Sequence, residues 1–400
     1  MRALVWHGIN DLRVETVNDP EILRPNDAIV KVTMTASCGS DLHLVGGYMP
    51  VMRAGDVLGH EFMGEIVEVG SGVKNRRVGD RVVVNSFLSC GECWYCKQGL
   101  TSMCDNTNAA PGLNDLMWGA SLAGCFGFGN SMGGYAGSHA DYVRVPFADT
   151  GTFLVPDSLS DEQAVFVSDA VPTGWMGAKV AGVKPGDTVA VFGAGGVGQM
   201  AARSAMLLGA EQVIVIDRLP ERLEQVHQHI GAETLNYETD ELFADLRERT
   251  GGRGPDVCIE AVGMEAHSAG PGYLYDQVKA QLRLQTDRPT AVRHAIQAVR
   301  KGGTVFVLGV YGGVVDKFPL GAMMNKGLTI HTGQQNGHQY TDMLLKKVAD
   351  GEISTGHLAT HPMSLEDAAY GYDIFKHKKD GCVRSVFTPG APKAEPRLSA

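Results

Sequence analysis

Four cysteines lie in one short stretch of this chain and could bind a metal ion together. They form the pattern C-x2-C-x2-C-x7-C at Cys90, Cys93, Cys96 and Cys104. Four thiolates at this spacing can surround one tetrahedral zinc through Zn–S bonds of about 2.3 Å, which leaves no open coordination position. We therefore predict a structural zinc that holds a loop and takes no part in chemistry. An iron–sulfur cluster or disulfide bonds remain the alternatives.

A glycine-rich turn is the second chemical motif, a G-x-G-x-x-G at Gly193, Gly195 and Gly198. It follows the apolar run TVAVF and opens a helical stretch, and the next predicted strand ends in Asp217. In this context the glycines let the backbone approach a pyrophosphate at a helix N-terminus. Asp217 would bind the adenosine ribose and repel a 2′-phosphate, which favours NAD over NADP, although Arg218 follows directly. The alternative is a glycine-rich turn that binds no ligand.

Three further residues have side chains that bind metals but lack partners in their own segments. Cys38 lies in ASCGSDLH, and His60 and Glu61 lie in LGHEFMGE. Taken singly, a cysteine of this kind is more often part of a core, and a histidine is more often a satisfied polar residue. The residues alone therefore leave both interpretations open.

The sequence texture predicts two kinds of domain. Short alternating apolar runs broken by glycine fill the first part of the chain and predict a β-barrel. From about Pro156 onward apolar strands alternate with helical stretches, which predicts βαβ units and a parallel sheet, and thus an α/β protein. We expect domains at 1–157 and 158–339, a return to the first domain at 340–400 that ends in a loose tail, and an inserted loop at 265–289.

Composition excludes some classes of partner. The chain has 400 residues and a formal net charge of −10, with a pI near 5.7. An acidic surface of this kind argues against nucleic acid and against anionic membranes as partners. The N-terminal residues lack the pattern of a secretory signal, and no apolar stretch is typical of a membrane span. We therefore expect a cytoplasmic protein.

Several motifs together resemble one family, the zinc-containing medium-chain dehydrogenases. They are CGSD at 38–41, GHE at 59–61, the four-cysteine loop, GDRVVV at 79–84 and GAGGVG at 193–198. They occur in the family's order over nearly the whole chain. The resemblance implies a GroES-like β-barrel catalytic domain and a Rossmann domain with a doubly wound parallel sheet that binds NAD.

The resemblance also implies a catalytic zinc, and so two zincs in each subunit. Cys38 and His60 match two ligands of that metal. Liver-type members have a cysteine as the third ligand, whereas this chain has Asp169 in that place. The most similar subgroup is the glutathione-independent formaldehyde dehydrogenases and dismutases, in which an aspartate fills this role. Dismutase members have a longer insertion, so permanent retention of NAD does not carry over to this chain.

A proton route follows from the same resemblance. Ser40 is placed to accept the proton of a substrate hydroxyl, and the cofactor ribose would pass it to His43, which can titrate near neutrality if it faces water. Glu61 would be a carboxylate beside the metal or an exchangeable ligand. These three residues are the predicted catalytic side chains.

Further contacts with cofactor and partners rest on the resemblance alone. Val197 is expected against the pyrophosphate turn, Arg222 over the adenine and Val262 near the nicotinamide. The strand GLTIHTG at 327–333 would pair across a homodimer, which could form part of a homotetramer. The remaining partner is a small alcohol or aldehyde.

The predicted function is NAD-dependent oxidation or reduction by hydride transfer. The substrate would be an alcohol or the hydrate of an aldehyde, with formaldehyde favoured. A biosynthetic carbonyl reductase and a polyol or secondary-alcohol dehydrogenase of the same fold are alternatives. A binding protein that has lost its chemistry is a third, against which the set of Cys38, His60 and Asp169 argues.

Overall fold

The computed structural model divides the chain into two compact units. The first consists of Met1–Pro172 and Gln335–Ala400, and the second of Thr173–Gln334. The structure describes residues 1–48, 52–110, 112–264, 266, 288–313, 315 and 317–391. The predicted insertion at 265–289 and the end of the C-terminal tail lie mostly outside these residues. No described helix combines the length and apolar character needed to span a bilayer.

Sixteen strands are numbered here in chain order, over the described part of the chain. They are β1 (Arg2–Gly8), β2 (Asp11–Thr16), β3 (Ala28–Ala36), β4 (Asp56–Val57), β5 (Glu61–Val69), β6 (Arg81–Val84), β7 (Tyr142–Val145), β8 (Thr152–Leu154), β9 (Thr188–Phe192), β10 (Gln212–Asp217), β11 (Glu233–Asn236), β12 (Val257–Glu260), β13 (Thr304–Val307), β14 (Thr329–Thr332), β15 (His361–Ser364) and β16 (Ser385–Thr388).

The helices are numbered in the same way. They are α1 (Gly39–Val45), α2 (Trp94–Lys97), α3 (Gly112–Trp118), α4 (Ala148–Gly151), α5 (Asp161–Ala164), α6 (Ala170–Val180), α7 (Gly196–Leu207), α8 (Pro220–Gln225), α9 (Leu242–Arg249), α10 (Thr290–Ala298), α11 (Leu320–Lys326), α12 (Thr341–Ala349) and α13 (Ala368–His377). Short 3₁₀ turns and one π turn occupy Thr101–Met103, Asn130–Met132, Val165–Ser168, Val226–Ile230, Gly337–Gln339, Gly356–Leu358 and Leu365–Asp367.

The first unit is rich in sheet, as the alternating pattern predicts. Its larger sheet has the order β15-β16-β3-β5-β6-β8, with β7 also paired to β3, and a smaller sheet has the order β2-β1-β4. The central pairing of β3 with β5 is antiparallel and contains register shifts near Val30 and Met34. Phe62, Ile66 and Val82 are fully buried from neighbouring strands and belong to one core. Consecutive residues are buried along β3, β5 and β6, so these strands bury both faces over part of their length.

The second unit has the parallel sheet that the strand–helix alternation predicts. Its described strands have the order β11-β10-β9-β12-β13-β14, and each neighbouring pair is parallel. In order of appearance this is third, second, first, fourth, fifth, sixth, the arrangement of a doubly wound dinucleotide-binding fold. The central strands are apolar throughout because helices cover both faces of such a sheet. In β9, for example, Val189, Ala190, Val191 and Phe192 are all buried.

The unit boundaries differ from those expected at 157/158 and 339/340. Residues 158–172 belong to the first unit, because α5 and the 3₁₀ turn that follows pack on β3, β5 and β6. The residues after Gln334 also return there, since the Gln335 side chain donates to Ser86 and Asn336 accepts from Ser102. The sequence shows where strand and helix textures change, but it does not show against which sheet a short helix packs.

Candidate active site

The four loop cysteines converge in a tetrahedral arrangement. Cys90 Sγ lies 3.9 Å from Cys96 Sγ, and Cys93 Sγ lies 3.9 Å from Cys104 Sγ. A tetrahedral zinc with Zn–S bonds of about 2.3 Å separates its sulfurs by about 3.8 Å, so this geometry fits the ion. The four are free thiols in the structure and not disulfides.

The backbone of this loop supplies hydrogen bonds to its own sulfurs. The N–H groups of Glu92 and Cys93 point at Cys90 Sγ at 3.4 and 3.3 Å. The Cys96 N–H points at Cys93 Sγ where α2 begins, and Asn106 Nδ2 donates to Cys90 Sγ at 3.3 Å. Burial opposes ionisation of Cys93, but the backbone N–H donors outweigh it and lower the pKa of this thiol to about 7. At Cys96 and Cys104, in contrast, burial outweighs the donors and raises the thiol pKa, so these two thiolates require a bound cation.

A second cluster brings together side chains from separate segments. Cys38 lies after β3 at the start of α1, and His60 directly precedes β5, which begins at Glu61. The ligand atoms of Cys38, His60 and Glu61 lie within 4.8 Å of one another. Asp169 borders them, with its Oδ2 3.8 Å from His60 Nε2. A thiolate, an imidazole nitrogen and carboxylate oxygens are a donor set that suits zinc.

His60 is oriented by a buried carboxylate. Its Nδ1 lies 2.9 Å from Asp41 Oδ1, an ion-pair contact whose angles do not meet those of a hydrogen bond. Its Nε2 lies on the side of Ser40 and Asp169. Burial raises the pKa of Asp41, but His60 outweighs this effect and the pKa falls to about 2. Asp41 Oδ2 also accepts the backbone N–H of Cys38 at 2.9 Å, so one carboxylate holds two of the predicted ligands.

Arg384 is a functional residue that the sequence did not reveal. Its Nη2 lies 3.2 Å from Glu61 Oε1, and both side chains are at most 3% exposed. Its Nη1 donates to the Ser37 carbonyl. Burial raises the pKa of Glu61 well above its ordinary value, an effect that Arg384 partly offsets. Burial also opposes ionisation of Cys38, but Arg384 and His60 outweigh it and lower its pKa to about 6.

Ser40 is at the position predicted for a proton acceptor, whereas His43 is not exposed to water. Ser40 Oγ lies 3.2 Å from Cys38 Sγ and 3.3 Å from His60 Nε2. His43 is only 4% exposed. The condition that it face water is therefore not met in this structure, because the side chain of His43 is buried on α1.

The glycine-rich turn joins β9 to α7 in the second unit. A Cβ added to Gly198 would lie 1.8 Å from the Gly193 carbonyl oxygen, and Gly193 has φ +104°. Gly195 is the residue before the first turn of α7, where backbone N–H groups have no partner within the helix. The turn therefore has the close backbone approach and the free N–H groups that a pyrophosphate requires.

Asp217 ends β10 beside this turn, as predicted. Its Oδ2 accepts the Ala194 N–H at 2.7 Å, and its Oδ1 accepts the N–H groups of Arg218 and Leu219. The carboxylate is thus fixed by three backbone donors at the position where a ribose would bind. The Arg218 guanidinium lies 3.7 Å from the Glu238 carboxylate.

The other predicted cofactor contacts border the same turn. Arg222 Nη1 is 3.7 Å from the position of a Cβ on Gly195. Val197 is partly exposed in the first turn of α7. Val262 is 38% exposed, and its backbone N–H donates to Glu260 Oε1 at 2.8 Å. Glu260 is fully buried and was not identified from the sequence, since an acidic residue at the end of an apolar strand has no distinctive spacing.

A cavity adjoins the turn within the second unit. Its walls include Phe192, Gly193, Ile216, Tyr237 and Val262. Ile216 directly precedes Asp217, so this cavity lies near the carboxylate predicted to bind a ribose. The residues present therefore fit a dinucleotide.

Two family descriptions match this chain. Residues 24–157 match the alcohol dehydrogenase GroES-like domain, and residues 196–271 match the zinc-binding dehydrogenase family. The first range contains Cys38, His60 and the whole four-cysteine loop, and the second contains Gly198 and Asp217.

Individual relatives and solved structures extend the similarity over both units. An uncharacterized zinc-type alcohol dehydrogenase-like protein of Bacillus subtilis is 40% identical and covers 97% of this chain and 100% of its own length. Formaldehyde dismutase of Pseudomonas putida is 36% identical, with 87% of each chain covered. The structure of an alcohol dehydrogenase from Thermus sp. ATN1 has a TM-score of 0.80 and 34% identity, and covers 97% of this chain and 100% of that one.

Proposed function

The chain belongs to the zinc-containing alcohol dehydrogenase family, and from this membership we propose that it is an NAD-dependent oxidoreductase that converts a small alcohol or aldehyde hydrate. The oxidoreductase class and the zinc-binding character follow from the family. The choice of NAD, the number of zincs and the substrate are our proposals.

The observation that carries the proposal is the buried cluster of Cys38, His60 and Glu61 with Asp169 at its border. Zinc held there would supply a Lewis acid that polarises the oxygen of the substrate. Ser40 Oγ lies at the edge of the cluster, within 3.3 Å of His60 Nε2, and is placed to accept the hydroxyl proton of an alcohol. Together with the four-cysteine loop, the cluster supports two zincs per chain.

NAD is the proposed cofactor because of the charges near the predicted ribose. The negative charge of the Asp217 carboxylate would repel the 2′-phosphate of NADP, which disfavours that cofactor. Arg218, the residue that could reverse this preference, lies near Glu238. We expect kcat/KM for NAD to exceed that for NADP by at least about tenfold, equal to about 1.4 kcal/mol. The Asp217→Ala variant should have a smaller ratio of kcat/KM for NAD to kcat/KM for NADP. A wild-type preference for NADP would contradict the cofactor assignment.

Formaldehyde is the proposed substrate class within the family. Two facts support it: the similarity to formaldehyde dismutase of Pseudomonas putida and an aspartate, Asp169, where the Cys38–His60 pair needs a further ligand. The test is a substrate screen that follows NADH absorbance and compares formaldehyde, short primary alcohols, secondary alcohols and polyols by kcat/KM. Highest kcat/KM for formaldehyde or methanol-sized substrates supports the assignment. A strong preference for a bulky secondary alcohol or polyol would replace it.

We also propose a homo-oligomer that forms through the edge of the parallel sheet. In the described chain β14 has β13 as its sheet neighbour and leaves its other edge open. Leu320 and Met324 on the adjoining α11 are 67% and 75% exposed. Open strand edges next to exposed apolar side chains favour pairing between copies. Light scattering should give a mass of two or four chains, and Met324→Lys should lower it.

A further inference from the structure

A chain of buried hydrogen bonds continues behind His60 and Asp41. The Tyr372 hydroxyl donates to Asp41 Oδ2 at 2.6 Å. His139 Nε2 lies 2.7 Å from the Tyr372 hydroxyl oxygen, and His139 Nδ1 lies 2.9 Å from Thr35 Oγ1. Tyr372 is 2% exposed and His139 is fully buried. Neither residue belongs to the predicted ligand set.

The direction of the bond between Tyr372 and Asp41 agrees with the charges. Burial and the Asp41 carboxylate raise the pKa of Tyr372 well above its usual value, so the phenol keeps its proton and donates a hydrogen bond to Asp41. The phenol oxygen can therefore accept from His139 Nε2. The Thr35 hydroxyl donates to the Glu61 carbonyl, so its contact with His139 Nδ1 does not determine which ring nitrogen carries the proton. His139 and Tyr372 thus lie in series behind the Asp41 carboxylate.

The backbone around His139 is also hydrogen-bonded to the segment between β4 and β5 that contains His60. The His139 N–H donates to the Leu58 carbonyl at 2.9 Å, and the Ser138 N–H donates to the Gly59 carbonyl at 2.9 Å. Gly59 has φ +100°, and a Cβ there would lie 2.6 Å from His139 Nδ1. Ser138 and His139 thus hydrogen-bond to the two residues before His60, and the His139 ring lies against Gly59.

We infer that Tyr372 and His139 are positioning residues for the metal ligand His60, acting through Asp41. This inference rests on the proposed function, since it assumes that His60 binds zinc. Asp41 Oδ2 accepts from both the Cys38 N–H and the Tyr372 hydroxyl, which fixes the orientation of the carboxylate. In that orientation its other oxygen lies 2.9 Å from His60 Nδ1, which leaves Nε2 on the side of the proposed metal. Such outer partners typically change metal affinity by about 10–100-fold.

A purely structural role is the competing explanation, and it makes a different prediction. The rings of Tyr372 and His139 pack on Phe387, with centroids 6.0 and 5.1 Å from it. Phenylalanine in place of Tyr372 would keep this packing and lose only the hydroxyl. A structural role predicts lower stability with unchanged metal binding, whereas a positioning role predicts weaker metal binding at one of the two sites.

The test compares Tyr372→Phe with Tyr135→Phe. The Tyr135 hydroxyl donates to the Thr107 backbone carbonyl at 2.6 Å and not to a carboxylate, so this control removes a comparable hydrogen bond outside the His60 support. The full-length chain is stripped of metal and titrated with zinc against a chromophoric chelator, and the cobalt-substituted chain is examined by visible absorption. We expect Tyr372→Phe to weaken one of the two zinc affinities at least about tenfold and to change the cobalt bands, while Tyr135→Phe changes neither.

The outcomes separate the inference from the proposed function. If the wild-type chain binds two zincs and Tyr372→Phe binds both with wild-type affinity and cobalt spectrum, the positioning role is wrong and the proposed function stands. If the wild-type chain binds zinc at the cysteine loop alone, the proposed function fails, and the inference with it. Should Tyr372→Phe not fold, His139→Leu and His139→Gln decide, because glutamine can still donate to the phenol oxygen. Equal zinc affinity in these two variants would overturn the inference, and restoration of affinity by glutamine would support it.

Discussion

The four-cysteine loop and the Cys38–His60 cluster are both suited to zinc, yet their ligands come from different ranges of the chain. The loop takes its ligands from Cys90 to Cys104, and its own backbone N–H groups contact the sulfurs. Cys93 and Cys96 remain partly exposed. The second cluster draws on segments around Cys38, His60 and Asp169, and each of these residues is less than a tenth exposed.

This difference indicates which parts of the protein stabilise each cluster. The loop receives hydrogen bonds to its sulfurs from its own backbone. The second cluster gathers several buried anions, and it depends on a cation and hydrogen-bond donors from distant segments. Arg384 and Tyr372, both in the C-terminal part of the first unit, supply them. The following predictions test this contrast, from the largest expected effect to the smallest.

Asp169→Asn should have the largest effect, because it removes an anionic oxygen next to His60 Nε2. We expect one zinc per chain in place of two, and a loss of kcat/KM of about 10⁴-fold, equal to about 5.5 kcal/mol. Metal analysis and NADH absorbance measure both quantities. Glu162→Gln, an exposed acid in the same segment, is the control and should leave both unchanged. Full zinc and full activity in Asp169→Asn would remove Asp169 from the ligand set.

Arg384→Met should lower the free energy of unfolding by about 3–5 kcal/mol, because Glu61 would remain buried without its cation. Urea denaturation measures this change. The control is Arg81→Met, which breaks an ion pair with Asp161 in which both side chains are more than a quarter exposed, and which should cost at most about 1 kcal/mol. Equal losses in the two variants would show that the cluster does not depend on Arg384.

Cys93→Ser should have the opposite pattern to Asp169→Asn: the loop should lose its zinc while turnover is largely kept. We expect loss of the loop zinc and a lower melting temperature, because the closed shell holds the loop and takes no part in chemistry. The kcat of the folded fraction should stay within about tenfold of wild type, equal to about 1.4 kcal/mol. Zinc content, thermal unfolding and active-site-normalised kcat are the measurements. A loss of turnover as large as that of Asp169→Asn would contradict a purely structural loop.

Asn106→Ala should have the smallest effect, at most about 1 kcal/mol of unfolding free energy. It removes one side-chain hydrogen bond to Cys90 Sγ, while the backbone donors to the same sulfur remain. Thermal unfolding of the zinc-loaded chain measures this loss, with the exposed neighbour change Glu92→Gln as the control. A larger loss would mean that the loop depends on side chains more than on its own backbone.

Local spacing was sufficient to predict the cysteine loop and the glycine-rich turn, because each is complete within a short segment. Cys38 and His60 became recognisable only through family resemblance, since each lacks a partner nearby in the sequence. Tyr372 was beyond reach because it lies 331 residues from Asp41. Arg384 was equally hidden, and so was the burial of His43, because contacts between distant strands and helices leave no pattern in a single sequence.

The return of Gln335–Ala400 to the first unit has a consequence for synthesis of the protein. Cys38, His60 and Asp169 leave the ribosome well before Arg384, which at about 5–20 residues per second means a delay of about 10–40 s. During that interval Glu61 has no cation, and the sheet lacks β16 between β15 and β3. The nucleotide-binding unit is made entirely within the delay and can fold first. The proposed metal cluster therefore lacks the Arg384 guanidinium until the last part of the chain has been made.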